Sequence, residues 1–214
     1  MAYTIRQTVS KTWPIPKKGT KYVVVPSHNR KEGIPLLLVM RDILGFVKTR
    51  KELKKILLEK KILVNGREAR DEKISLLLFD TLSVPALKKY YRVSISDLKK
   101  IKLEEIKEGE TLSKISKIVG KKMLRKKKVQ LNLNDGRNVL SDGKAKVGDS
   151  VVVSLKDGKI GKVLPVKKDS QVLIIKGKHM GREGKIQGIE ENEVLINTSE
   201  GDIKIQEEEL IVLN

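Results

Sequence analysis

The strongest chemical signal in the sequence is a basic segment between residues 49 and 65. Four cationic side chains, Arg50, Lys51, Lys54 and Lys55, recur at helical spacing on one side of this segment. Guanidinium and ammonium groups held in a row by a rigid helix can bind the phosphate oxygens of a polyanion. The alternative is a solvated charged face without a partner, and the segment taken alone favours that interpretation.

Further basic residues occur before and after this segment. Residues 121–128 include six basic residues in eight and no acidic one, which indicates a loop or helix end that contacts phosphates, with a bland solvated loop as the alternative. The side chains that we predict to contact the polyanion are Arg6, Lys11, Trp13, Lys17, Lys18, Lys21, Arg41, Arg50, Lys51, Lys54, Lys55, Arg67, Arg70, Lys121, Lys122, Arg125, Lys126, Lys127, Lys128, Arg137, Lys176, Lys178, Arg182 and Lys185.

Local signals predict the elements that position the first basic segment. Thr49 and Glu52 form a capping box, so a helix is expected to start here, with Leu53, Ile56 and Leu57 on its inward face. Residues 35–47 before it are apolar nearly all round and predict a buried helix. Asn65-Gly66 after it is the dipeptide that a tight two-residue hairpin turn prefers.

The rest of the chain is rich in predicted strands, and Gly177, Gly181 and Gly184 follow the strand at 172–175 at spacings of four and three. These glycines either let the backbone turn or shape a loop that brings basic side chains to a ligand; the two roles are compatible. The last strands suffice for a small closed barrel. The predicted strands are residues 22–25, 62–64, 74–78, 81–84, 90–93, 129–133, 138–140, 151–153, 172–175, 193–197, 203–206 and 210–213.

Composition limits the possible functions. The 214 residues include 46 Lys+Arg and 27 Asp+Glu, a formal net charge of +19. Residues 165–214 hold 7 basic and 10 acidic side chains, so the other 39 basic and 17 acidic ones lie in residues 1–164. Such a charge is most simply explained by an anionic partner, and its spread over several elements favours nucleic acid over a membrane surface.

Several classes of site are not expected. Cysteine is absent, which excludes disulfides and thiolate metal sites. No apolar run is long enough to span a bilayer, and no signal peptide is visible, so we expect a soluble intracellular chain. The only histidines, His28 and His179, stand in polar surroundings, and no phosphate-binding loop or dinucleotide fingerprint is present. We therefore expect no enzymatic activity, no cofactor, no metal and no small-molecule substrate.

Trp13 is the one large aromatic of a basic arm formed by residues 1–33. It is expected to anchor the arm to its own domain, or else to stack on a base or contact a neighbouring protein.

Five blocks in sequence order resemble one family. Residues 34–84 look like the S-four-type RNA-binding module, a helix–helix–hairpin, and the Gly177–Gly181–Gly184 segment looks like the KOW motif of SH3-like barrels. Trp13-Pro14-Ile15-Pro16, Tyr90-Tyr91-Arg92-Val93 and residues 130–138 are similar to blocks of the archaeal and eukaryotic small-subunit ribosomal protein family S-four-e. That family usually has a longer basic leader than the twelve residues before Trp13; the compact length looks more archaeal than eukaryotic.

The resemblance implies an α+β, multidomain protein: a basic arm (1–33), an S-four-type RNA-binding domain (34–98), a central β-rich domain (99–168) and a KOW or SH3-like barrel (169–214). It implies a structural constituent of the cytoplasmic small ribosomal subunit that binds small-subunit ribosomal RNA (rRNA) and neighbouring ribosomal proteins. The alternatives are a free translation or transcription factor, the RNA-binding part of an RNA-modifying enzyme, and a DNA-binding architectural protein.

Overall fold

Antiparallel strand pairs dominate the structure, a computed structural model that describes residues 3–124, 128–141, 145–190, 193–198 and 201–213. Helices are few. The chain divides into two compact units, Met1–Leu112 and Ser113–Asn214. Among the described residues, no helix has both the length and the apolar character needed to cross a membrane.

The first unit contains a five-stranded sheet in the order β5-β4-β7-β8-β9 and two two-stranded sheets, β1-β2 and β3-β6. Its helical segments are α1 (Leu36–Leu38), which continues as a π-helical turn (Val39–Ile43), and α2 (Arg50–Leu58), with single 3-10 turns at Arg6–Thr8, Pro85–Leu87 and Glu108–Leu112. Its strands are β1 (Tyr3–Ile5), β2 (Tyr22–Val24), β3 (Ile34–Pro35), β4 (Leu63–Val64), β5 (Arg67–Glu68), β6 (Ser75–Leu76), β7 (Thr81–Val84), β8 (Lys89–Ile95) and β9 (Ile101–Glu105).

The predicted basic helix is confirmed as α2. The Thr49 hydroxyl accepts a hydrogen bond from the Glu52 amide, and the Glu52 carboxylate accepts one from the Thr49 amide, so the capping box is complete. Leu53 and Leu57 are buried and Ile56 is partly buried, which seats one side of the helix in the core of the unit. The opposite side faces solvent.

The buried helix before α2 is shorter than predicted. Helical backbone covers residues 36–43 rather than 35–47, because Ile34 and Pro35 pair with β6 instead and Gly45 takes a φ of +66° after the helix. The apolar run from Ile34 to Met40 is buried throughout, as predicted. It forms the centre of the core against which α2 packs.

The turn at Asn65-Gly66 is confirmed between β4 and β5. Both residues have positive φ, 51° and 74°, as a two-residue turn matched to strand twist requires. Asn65 is fixed further, because its side chain donates to Asp80 Oδ1 at 2.8 Å and accepts from the Thr81 amide at 3.0 Å. Strand β9 pairs with β8, so residues 101–105 belong to the sheet of this unit.

The second unit contains two five-stranded sheets, in the orders β12-β11-β10-β13-β14 and β18-β17-β16-β15-β19. A single 3-10 turn covers Glu207–Glu209. The strands are β10 (Ser113–Met123), β11 (Val129–Leu133), β12 (Asn138–Ser141), β13 (Ser150–Ser154), β14 (Ile160–Leu164), β15 (Gln171–Ile174), β16 (Glu183–Glu190), β17 (Glu193–Thr198), β18 (Gly201–Gln206) and β19 (Leu210–Val212).

The strand predictions are confirmed in position, with the ends differing by at most two residues. The alternation of Val129, Leu131 and Leu133 places all three inside the first sheet of the second unit. The observed strand β10 covers a stretch for which the sequence predicts no strand. Its residues Lys114 and Lys117 are buried. A strand is predicted from alternating apolar residues, and a lysine at a buried position interrupts that alternation in the sequence.

Gly184 lies where the second sheet of the unit allows no side chain. A Cβ there would stand 2.5 Å from Asn197 O and 2.5 Å from Ile196 Cγ2, and the carbonyl is backbone that cannot rotate away. We therefore expect Gly184→Ala to lower the free energy of unfolding by about 1–3 kcal/mol. Gly188→Ala on the same strand is the control, because nothing lies within 4 Å of a Cβ there. Urea unfolding of both variants checks this, and equal stability of the two would contradict it.

Candidate nucleic-acid interface

The solvent side of α2 presents three of the predicted cations. Lys51, Lys54 and Lys55 are exposed, while Leu53 and Leu57 of the same helix are buried. Positions 51, 54 and 55 are neighbours on a helix surface, so the three ammonium groups leave from one face. Within the described part of the chain, none of the three makes a salt bridge, although Lys55 is close enough to Glu59 to help lower the pKa of that carboxyl, after the larger effect of Lys61.

Arg50, the fourth cation of the predicted row, is engaged inside the protein. Its Nε donates to Glu72 Oε1 at 2.6 Å, and its Nη1 donates to the Tyr3 hydroxyl at 2.7 Å. Glu72 is only 2% exposed, so its carboxylate depends on Arg50 for compensation. Arg50 therefore joins α2 to strand β1 and to the segment before β6, and its role differs from the phosphate contact that its sequence position indicates.

The other cations near α2 fall into two groups. Arg67 on β5 and Arg70 just after it are exposed, beside the hairpin turn as the sequence predicts. Arg41 instead forms a bidentate ion pair with Asp42, with Nε and Nη2 donating at 3.0 and 2.9 Å. Because the Asp42 carboxylate neutralises much of the charge of its neighbour Arg41, this arginine offers little net charge to a ligand.

Trp13 lies in the core of the first unit. Its side chain is 3% exposed, and its Nε1 donates to Gly33 O at 3.1 Å. This corrects its inclusion among the nucleic-acid contacts, since a ring without exposed faces cannot stack on a base. The anchoring alternative is the correct one.

The remaining cations of the arm lie at its surface. Lys11, Lys17, Lys18 and Lys21 are exposed. Arg6 instead organises the arm, because its guanidinium donates to Pro16 O and Thr20 O, each at 2.8 Å. The arm is thus an ordered basic surface.

The described ends of the basic run at 121–128 lie at the ends of two paired strands of the second unit, β10 and β11. Lys121 and Lys122 are in the last part of β10, and the Leu124 amide donates to Lys128 O at 2.7 Å. Lys122 and Lys128 are exposed, whereas Lys121 Nζ donates to Ala145 O at 3.0 Å. Residues 121–123 are therefore strand rather than the predicted loop or helix end, and the predicted contacts Arg125, Lys126 and Lys127 lie outside the described residues.

Arg137 lies beside a buried ion pair. Asp135 accepts from Lys114 Nζ at 2.9 Å, both side chains being nearly inaccessible, and Arg137 Nε approaches the same carboxylate at 3.5 Å. Burial would raise the pKa of Asp135, but Lys114 and the Arg137 amide lower it below its ordinary value. This network fixes the turn between β11 and β12, and it neutralises part of the charge of Arg137.

The glycine segment forms the loop between β15 and β16. Gly177 and Gly181 have φ values of +81° and +94°, which favour glycine, so the expected backbone freedom is used here. Lys176, Lys178 and Lys185 are exposed, and Arg182 Nη1 lies 3.2 Å from His179 Nδ1. The loop therefore presents lysines at the surface while Arg182 helps to order it.

Lys117 is a buried cation outside the set of side chains predicted from the sequence to contact the polyanion. Its Nζ donates to Leu210 O at 2.8 Å and to the carbonyl of Glu207. Burial lowers the pKa of Lys117 to about 8, opposed by the nearby Glu207 and Glu208. No sequence signal distinguishes this lysine from its exposed neighbours, because its burial follows from the pairing of β10 in the sheet.

The lowered pKa of Lys117 predicts a pH dependence of stability. Between pH 8 and 10.5 the unfolded chain holds a proton on this lysine that the folded chain has released, so the free energy of unfolding should rise with pH in this window. Lys117→Met should remove that rise. Urea unfolding of both proteins at pH 8 and pH 10 measures the difference, and parallel pH profiles would contradict it.

Comparisons with known proteins agree with these features. The model of ribosomal family S4e matches residues 87–160, and that of the KOW motif matches residues 168–197. The chain is 36% identical to the small ribosomal subunit protein eS4 of Methanocella arvoryzae, covering 97% of this chain and 92% of the relative. It is 37% identical to the protein of the same name from Nanoarchaeum equitans, covering 85% and 79%.

A solved structure shares the fold. The crystal structure of the 30S ribosomal protein S4e from Thermoplasma acidophilum superposes with a TM-score of 0.73 at 25% sequence identity, covering 86% of this chain and 96% of that one. Near-complete coverage at 36% identity shows common descent over the whole length, and the matched KOW segment contains the loop described above. The chain therefore belongs to the S4e family of small-subunit ribosomal proteins.

Proposed function

We propose that this protein is a structural constituent of the small ribosomal subunit in the cytoplasm, where it binds and stabilises folded small-subunit rRNA. The observation that carries the proposal is the row of Lys51, Lys54 and Lys55 on a capped helix whose other face is buried. Three ammonium groups that leave one face of a fixed helix without salt bridges can bind neighbouring phosphates of an RNA.

The proposed interface uses the exposed cations of each unit. In the first unit we assign α2, the hairpin with Arg67, Arg70 after it, and the lysines of the arm. In the second unit we assign the basic run at 121–128 and the lysines of the β15–β16 loop. Arg6, Arg41, Arg50, Arg137, Lys121 and Arg182 act mainly as positioning residues in this proposal, because each has a protein partner.

The domain layout belongs to the same proposal. We assign residues 34–112, which include β9, to an S-four-type helix–helix–hairpin module with its sheet, 113–168 to a central β-rich domain and 169–214 to an SH3-like barrel with the KOW loop. The boundary that the sequence predicts at residue 99 thereby moves to residue 113, because β9 pairs with β8. The order of α1, α2 and the β4–β5 hairpin supports the first assignment, and the order β18-β17-β16-β15-β19 supports the last. The contact surface of neighbouring ribosomal proteins would lie outside the basic faces.

Recognition in this proposal is electrostatic and geometric. Lysine contacts to phosphates carry no base information, so selectivity arises from folded RNA whose shape fits the basic face of each unit. The proposed role needs no cofactor, no catalytic step, no small-molecule substrate and no membrane.

Filter binding of the purified full chain to transcribed small-subunit rRNA tests the proposal, with large-subunit rRNA as the competitor. We expect tighter binding to small-subunit rRNA and a steep decrease of affinity with salt, about 0.9 log unit per contacted phosphate for each tenfold rise in concentration. Equal affinity for both RNAs with a shallow salt dependence would overturn it.

A further inference from the structure

The two-stranded ribbon of β1 and β2 carries an exposed aromatic face. Tyr22 is 58% exposed, and its cross-strand partner Ile5 is 44% exposed. Tyr3, two residues before Ile5 and therefore on the same face, is 43% exposed. Val23 packs into the core from the opposite face of β2. Val24, the cross-strand partner of Tyr3, is also buried although it lies on the same face as Tyr22, so this face is uncovered mainly at the Ile5–Tyr22 pair.

The ribbon is held rigidly beside α2. The Tyr3 hydroxyl accepts a hydrogen bond from Arg50 Nη1, and Arg50 is itself fixed by the buried Glu72. At the other end, Arg6 follows β1 directly and binds the carbonyls of Pro16 and Thr20. The aromatic face therefore adjoins the helix that presents the lysine row.

The sequence segment that contains this face carries positive charges only. Residues 1–31 contain seven basic and no acidic side chains. Lys21 Nζ lies 5.4 Å from the centroid of the Tyr22 ring, and Lys17 and Lys18 are exposed on the same arm. An exposed ring beside Lys21, in a segment without acidic residues, suits a ligand that combines an aromatic face with negative charge, as an RNA nucleotide does.

We propose that Tyr22 is a stacking site for an unpaired base of the bound RNA, with Lys21 beside it for the phosphate of that nucleotide. The inference rests on the proposed function and names the kind of RNA element that the arm takes: a loop, bulge or strand end rather than a continuous duplex. A base inside a continuous duplex has both π-faces covered by its stacked neighbours, whereas an unpaired base can place a face on a side chain, and a tyrosine ring stacks on any of the four bases. Tyr22 thereby takes the role that the buried Trp13 cannot.

Two variants separate stacking from charge and from folding. Tyr22→Thr removes the ring but keeps a side chain suited to a strand, and Tyr22→Phe keeps the ring. We expect Tyr22→Thr to weaken binding of full small-subunit rRNA roughly five- to a hundredfold with an unchanged salt slope, because base stacking is not a phosphate contact. Tyr22→Phe should bind within about twofold of the unaltered protein, on the same stacking argument. Thermal unfolding of both variants verifies that the fold is kept.

A second measurement needs no substitution. Irradiation of the complex at short wavelength should attach a nucleotide to the peptide that contains Tyr22. Unchanged affinity of Tyr22→Thr together with no adduct on that peptide would overturn the stacking site while leaving rRNA binding intact. Failure of the unaltered protein to prefer small-subunit rRNA would instead overturn the proposed function, so the two failures are distinguishable.

Discussion

Replacing Lys51, Lys54 and Lys55 together by glutamine is expected to lower the affinity for small-subunit rRNA about a hundredfold at 0.1 M salt and to flatten the salt slope by roughly two to three units. Each lost phosphate contact removes about 0.9 unit from the slope, and the affinity lost at 0.1 M follows from that slope. Glutamine has nearly the helix propensity of lysine, so α2 should keep its stability. Filter binding at four or more salt concentrations measures both quantities.

A triple variant with the same change in net charge is the control. Lys61, Lys102 and Lys204 are about half exposed and pair with Glu59, Glu104 and Glu190 at 2.6, 2.7 and 2.9 Å. Their replacement by glutamine should change the slope by less than one unit, because these side chains already have anionic partners. Equal losses in the two triple variants would show that net charge, rather than the α2 face, determines binding.

Replacing Trp13 by alanine is expected to lower the free energy of unfolding of the first unit by about 3–5 kcal/mol. The ring contributes to the same core as Ile34 and Leu53, and its loss leaves a large cavity and an unpaired Gly33 carbonyl. The arm should then separate from the unit, with loss of the basic surface that it carries. Urea unfolding measures the stability, and proteolysis of the arm measures its release.

Trp13→Phe separates packing from the hydrogen bond. Phenylalanine keeps most of the buried surface but is smaller than tryptophan and cannot make the bond from Nε1 to Gly33 O. The free energy of unfolding should therefore decrease by about 1–3 kcal/mol. A stable Trp13→Ala variant with weakened rRNA binding would contradict the anchoring role.

Local sequence signals predict the elements that position the site. The capping box at Thr49 and Glu52 defines the start of α2, and the positive φ values at Asn65 and Gly66 follow from a dipeptide suited to them. Helical periodicity places the lysines of α2 on the side opposite Leu53 and Leu57, so their exposure follows once these leucines are expected to be buried. These predictions depend only on interactions between residues close in the sequence, which is why they succeed.

Partners distant in sequence explain where the predictions fail. Arg50 looks like its neighbours Lys51 and Lys54, but the fold brings Glu72 and Tyr3 to it from 22 and 47 residues away. Tyr22 stands in a run of apolar residues, and its exposure follows from the pairing of β2 with β1 rather than from any period. Lys114 and Lys117 are buried because strand β10 lies inside a sheet, although lysine seldom is.

Sucrose-gradient fractionation of a cell lysate, with each fraction probed for this chain, tests the central claim most directly. A structural constituent of the small subunit should migrate with the small subunits in a one-to-one ratio and remain there through a wash at moderate salt. Substitution of Lys51, Lys54 and Lys55 by glutamine should shift part of the protein to the top of the gradient. Migration of the unaltered protein at the top, or its release by a mild wash, would contradict the assignment and favour a free factor.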